Sequence, residues 1–125
     1  MIQQKYEIQV PVELVWRALT EPEMIKQWSG SPADMSAEEG KEFSLWGGSI
    51  WGTNTKVIIE KLLEQDWYGG DWAEPSKVVI KLSEKNSETV IELSHTNVPE
   101  KEVQNFAEGW NDYYFGPMKE LLEEM

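Results

Sequence analysis

A chain of 125 residues is the length of one ordinary domain, residues 1–125. It is long enough for a real core and, having no cysteine, carries neither a disulfide framework nor a thiolate nucleophile. Its formal charge of -12, from 23 acidic and 11 basic residues, repels nucleic acid and anionic lipid and suits a basic partner surface, while the absence of a signal-peptide core or a membrane-length apolar run makes a cytoplasmic protein the default.

Residues 2–10 alternate Tyr6, Ile8 and Val10 with Lys5, Glu7 and Gln9, which predicts a strand with one wet face, ended by Pro11. Val12, Val15, Trp16 and Leu19 then take helical spacing, with Glu13 and Arg17 as an i,i+4 pair on the outer side and Glu21 as a second partner for the arginine. Thr20 and Glu23 have the spacing of a capping box, and Pro22 suits a first turn, so a second short helix is predicted to carry Met24, Ile25 and Trp28 inward. Ser29 to Gly40 has no period and reads as a loop.

From Lys41 the pattern becomes strand-like. Phe43 and Leu45 alternate, Gly47-Gly48 turns the chain, and Ile50 to Ile59 forms a longer segment with a bend or bulge at Asn54-Thr55. Leu62 to Trp67 is a further strand, and Tyr68-Gly69-Gly70-Asp71 reads as a turn; it lacks the Lys and Ser/Thr of a phosphate-binding loop. Val78, Ile80 and Leu82 alternate along the next strand, Glu84-Lys85-Asn86 turns it, and Glu88 to Thr96 returns with Ile91, Leu93 and His95 on one face.

Val103, Phe106, Ala107, Trp110, Tyr114, Met118, Leu121 and Met125 recur at steps of three and four, the period of an amphipathic helix. Asn97 as cap, Pro99 in the first turn and Glu100 three residues after the cap place its start near Val98. At about 1.5 Å per residue it would extend about 35–40 Å, so its stripe needs a sheet beneath it. Pro117 should disturb its axis, because a proline leaves the Tyr113 carbonyl without a donor. The predicted class is α+β: an antiparallel sheet of six or seven strands, two short helices after the first strand, and one long closing helix. Seven tryptophans are more than such a core absorbs easily, so some should be exposed.

This element order resembles the helix-grip fold of the START-like (SRPBCC) superfamily, in which a curved antiparallel sheet wraps a long C-terminal helix. Gly109-Trp110, Tyr113-Tyr114-Phe115 and Lys119 resemble the ending of the AHSA1-like family, typified by the C-terminal domain of Aha1, the activator of Hsp90 ATPase. Val12 to Trp28, Gly40, Phe43, Gly47-Gly48 and Gly52 match the same family's opening and first hairpin. The resemblance implies a co-chaperone module that touches an Hsp90-type chaperone. Trp72 with Asp71 and Glu74, and Lys119 on the long helix, are the partner-surface candidates.

The helix-grip architecture also admits a small apolar ligand between sheet and helix. Phe106, Trp110 and Tyr114 are large, rigid rings on one stripe, and Phe43, Leu45, Ile91, Leu93 and His95 face them from the sheet. A cyclase-like enzyme acting in that space is a third reading. No residues are singled out as catalytic: the carboxylates cluster in loops, and His95, the only histidine, reads as a core residue at a strand end. One histidine without cysteine builds no familiar zinc site, and neither a metal nor another cofactor is expected.

Overall fold

The computed structural model describes every residue from Met1 to Met125. Strand β1 (Ile2–Ile8) buries Ile2 and Ile8 and exposes Gln3, Lys5 and Glu7. It ends two residues early because the Val10 amide folds back onto the Ile8 carbonyl (2.8 Å). Helices α1 (Val12–Thr20) and α2 (Pro22–Ser29) follow and bury the expected apolar residues, Val15, Trp16 and Leu19 from the first and Met24, Ile25 and Trp28 from the second.

The expected capping box does not form. Thr20 is the last residue of α1, its buried hydroxyl donates to the Trp16 carbonyl (2.8 Å), and Glu21 takes the cap position of α2. A hydroxyl that bonds back along its own helix is no longer free to cap the next one. Arg17 pairs with Glu21 at 3.0 Å rather than with Glu13.

Strands β2 (Glu42–Leu45), β3 (Ile50–Ile58), β4 (Leu62–Gly69), β5 (Ser76–Lys85) and β6 (Glu88–Thr96) form an antiparallel meander, and β1 closes on β6. The single sheet has the order β1-β6-β5-β4-β3-β2, six strands in all. The β3–β4 register shifts between Asn54 and Lys56, which puts a bulge where the sequence places a bend. β4 runs on through Tyr68 and Gly69, which the sequence assigns to a turn, because Trp51 and Ile50 pair with them. The β5–β6 turn falls one residue later than expected. Asn86 and Ser87 both take positive φ (54° and 65°), as a tight two-residue hairpin turn requires.

The closing helix departs most from expectation. Asn97 does not cap it: the residue has a φ of 61° and its side-chain amide donates to the Pro75 carbonyl (2.9 Å), tying the end of β6 to the entry of β5. Pro99 occupies the cap position, Glu100–Glu102 makes a 3-10 turn, and α3 (Val103–Gly109) begins later than Val98. Trp110–Phe115 is π-helical, and α4 (Gly116–Glu123) completes the element.

The interruption at Gly116-Pro117 is therefore met by widening the turn before it: the Gly116 amide bonds the Asn111 carbonyl, five residues back. The wider turn lets Trp110 and Phe115, five residues apart, stack with centroids 5.6 Å apart. It also moves the later stripe: Tyr114, Phe115, Met118 and Leu122 are buried, Leu121 is half-buried and Met125 is exposed. One cluster of 26 buried apolar residues joins the sheet's inner face, α1, α2 and the closing helix.

Candidate functional site

Two features meet between the sheet and the closing helix: a chain of buried polar contacts and an apolar cavity. Trp110 Nε1 donates to His95 Nδ1 (3.1 Å), and His95 Nε2 lies 2.8 Å from Ser76 Oγ. Because Nδ1 accepts, the proton sits on Nε2 and is donated to Ser76, whose hydroxyl donates in turn to the Trp67 carbonyl (3.1 Å). The imidazole is fully buried and meets the rings of Trp67, Phe106 and Trp110 edge-on. Burial holds its pKa down to about 4, so it is neutral at pH 7.

A second chain starts from Trp67, whose indole donates to Gln65 Oε1 (2.8 Å). The Gln65 amide donates to Asn54 Oδ1 (2.8 Å), and Asn54 Nδ2 reaches the carbonyls of Ser36 (2.9 Å) and Glu38 (3.1 Å). Gln65 and Asn54 are fully buried, so the irregular segment after α2 is tied to the sheet by polar groups shielded from water. Both central indole N–H groups are thus engaged.

The cavity has a volume of about 370 Å³, within the roughly 300–1,000 Å³ of small-molecule sites. The Trp67 and Trp110 rings, stacked 4.7 Å apart, form one wall. Trp46, Ser49 and Ile50, from the turn between β2 and β3 and the start of β3, form the second. Phe106 and Gly109 from α3, with Tyr113 and Tyr114 from the π turn, form the third.

Of the cavity candidates read from sequence, the structure brings Phe106, Trp110 and Tyr114 to this space. It does not bring Phe43, Leu45, Ile91 or Leu93: each is buried among other side chains on the sheet's inner face, where the core is filled. His95 stands behind Trp110 rather than on the cavity wall. The residues that sequence reasoning missed are Trp46, Ser49, Ile50, Trp67, Asn105, Gly109 and Tyr113. Asn105, Gly109 and Tyr113 lie off the helical stripe. Trp46 was hidden because it sits in a left-handed turn, with φ of 50°, 65° and 98° at Trp46, Gly47 and Gly48.

Of the partner-surface candidates, Asp71 and Glu74 are exposed. Trp72 between them is half-buried, its ring 5.2 Å from Phe106. Lys119 lies apart from them, donating to the Glu7 carbonyl (2.6 Å) and pairing with Glu123 at 3.3 Å, which pins α4 to the end of β1. The surplus of tryptophan resolves into four buried rings, Trp16, Trp28, Trp67 and Trp110, two half-buried ones, Trp46 and Trp72, and the exposed Trp51. No group of three or more His, Asp or Glu side chains gathers as a metal site, and no helix is long and apolar enough to cross a membrane.

A curved antiparallel sheet around a long C-terminal helix, with two short helices after the first strand, defines the helix-grip class. The sequence profile described as "Activator of Hsp90 ATPase homolog 1-like protein" matches residues 9–123, and the chain belongs to that family. It is 28% identical over 112 residues to human "Activator of 90 kDa heat shock protein ATPase homolog 1", covering 88% of this chain and 33% of that one. The chain thus spans about a third of the length of the curated relatives it matches first.

Among solved structures it is similar to an HSP90 activator from Plasmodium falciparum, with TM-score 0.88 and 26% identity over 97% of this chain and 94% of that one. It shares its fold with the Aha1 dimer from Colwellia psychrerythraea, with TM-score 0.84 and 19% identity over 98% and 95% of the two chains.

Proposed function

We propose that the protein is a cytoplasmic interaction module that binds an Hsp90-type chaperone and alters its ATP turnover. The observation that supports this most is the family match over residues 9–123, with an Hsp90 activator of nearly the same length among the structural relatives. The net charge of -12 favours a basic partner surface. Exposed Asp71 and Glu74 beside half-buried Trp72 form the proposed contact, whereas Lys119 serves the fold. Titration calorimetry with the Hsp90-type chaperone of the same organism, at low and high salt, tests the reading. Binding should weaken with salt as charge attraction is screened. No heat and no change in ATP turnover at protein concentrations of about 100 μM, far above the dissociation constants of specific complexes, would sink it.

A second reading is supported by the cavity itself: a small apolar ligand held between the β2–β3 turn and the closing helix. Six aromatic rings, those of Trp46, Trp67, Phe106, Trp110, Tyr113 and Tyr114, line a space whose walls carry no charged side chain. Chemical shifts that move along residues 105–114 when an apolar ligand is added would uphold it. Shifts that avoid this segment would defeat it.

A further inference from the structure

Resting on the cavity reading, we infer that the site selects an uncharged apolar molecule carrying one hydrogen-bond acceptor, which it presents to the Tyr114 hydroxyl. Tyr114 is 1% exposed, lines the cavity, and has no hydrogen-bond partner in the protein. The one side-chain polar atom both sealed from solvent and unpartnered is Ser36 Oγ, so the Tyr114 hydroxyl is not sealed off, and the open space that Tyr114 lines is the cavity. The other deep donors are already used: Trp110 serves His95 and Trp67 serves Gln65. A hydroxyl whose outlet is a mostly apolar space finds few partners there, and a ligand acceptor reaching it supplies a hydrogen bond.

The absence of charge on the lining follows from its composition, which holds no Asp, Glu, Lys or Arg. A carboxylate entering it would lose its water without gaining a cation and would face a protein of charge -12. A ketone, ester or amide oxygen on an aromatic or branched frame meets neither penalty. Burial also raises the Tyr114 pKa, which keeps its proton available for donation across the working pH range.

Two departures from regular backbone flank the same space. The π turn supplies Trp110, Tyr113 and Tyr114, and Trp46 on the opposite wall holds a φ of 50°. Such conformations persist where the surrounding structure demands them, and here both shape one cavity.

Three probes of like shape separate the possibilities: 2-acetylnaphthalene, 2-ethylnaphthalene and 2-naphthoate, titrated at pH 7.5 and followed by nitrogen–proton correlation spectra. The ketone should bind about threefold to tenfold tighter than the ethyl compound, the worth of one hydrogen bond, and the carboxylate should bind weakest. Tyr114→Phe should bring the ketone to the level of the ethyl compound and leave the latter unchanged. Gly109→Leu, at a helical position where a Cβ would meet only Tyr113 Cδ2 at 3.8 Å, an ordinary contact, should fill the cavity and abolish binding of all three with far-UV circular dichroism unaltered.

Equal affinities for ketone and ethyl compound, or a ketone preference that survives Tyr114→Phe, would overturn the acceptor assignment while the cavity reading stands. Tightest binding by the naphthoate would overturn the selection for uncharged molecules. Binding that persists in Gly109→Leu, or no binding of any probe by the wild type, would overturn the inference and the cavity reading together.

Discussion

The Trp110 indole donates to Nδ1 of His95 across 3.1 Å, and this contact fixes both the tautomer of the imidazole and the orientation of the indole at the cavity wall. Each ring satisfies the other in a place water does not reach, and each is packed against Trp67. Stability and cavity shape are therefore coupled through one pair.

This pairing has a pH signature. The folded His95 has a pKa near 4, below its ordinary 6.5, so between these values the unfolded chain takes up a proton that the folded chain refuses. The contribution is complete above pH 6.5 and is lost as pH falls towards 4, by up to about 3 kcal/mol. Urea midpoints from pH 4.5 to 7.5, compared between wild type and His95→Gln, isolate it from the carboxylates common to both. The variant should show the shallower acid limb, and identical limbs would refute the assignment.

Substitutions at Trp110 should be graded by what they leave behind. Trp110→Phe keeps a ring but orphans His95 Nδ1, at a cost of about 1–3 kcal/mol, whereas Trp110→Ala opens the core centre and should cost about 3–5 kcal/mol. Half-buried Trp72 leans on Phe106 alone among the aromatic rings, and Trp72→Ala should lose only about 1 kcal/mol. Urea unfolding of the three variants gives the order directly. A Trp110→Ala protein as stable as wild type is incompatible with the packing described.

Asn54→Ala should act at a distance. It removes the donor to the Ser36 and Glu38 carbonyls and the acceptor of the Gln65 amide, leaving buried groups unmet at about 2–4 kcal/mol in total. Hydrogen exchange should accelerate in residues 34–40 first, because this contact holds that segment to β3. Uniform acceleration over the whole chain would point instead to global destabilisation alone.

Gly116 is bound to the π turn by geometry. A Cβ there would stand 2.2 Å from the Asn111 carbonyl oxygen that its own amide bonds, so Gly116→Ala forces the turn to rearrange. A loss of about 1–3 kcal/mol is expected, the range for overpacking a tight site. Chemical shifts of Trp110 and Phe115 should move with it, and a neutral substitution would show that the turn does not depend on this contact.

Much of the architecture was legible in the residues because it rests on local periods. The two-residue alternation of Val78, Ile80 and Leu82, and the three- and four-residue steps from Val103 to Met118, report which face is wet before any partner is known. The bulge after Asn54 and the disturbance at Pro117 were legible for the same reason, since each is a property of a few adjacent residues.

What only the tertiary structure decided is where polar side chains find partners and where the walls of a cavity meet. Thr20 and Asn97 have the chemistry of caps, yet one bonds back to Trp16 and the other crosses to Pro75, since a side chain takes whichever partner the fold brings within reach. Tyr113, off the stripe of a regular helix, reaches the cavity through a π turn, and Trp46 approaches it from 64 positions earlier in the chain than Trp110. Residues far apart in sequence become neighbours through sheet order and helix placement, and those depend on all the packing at once rather than on any one segment.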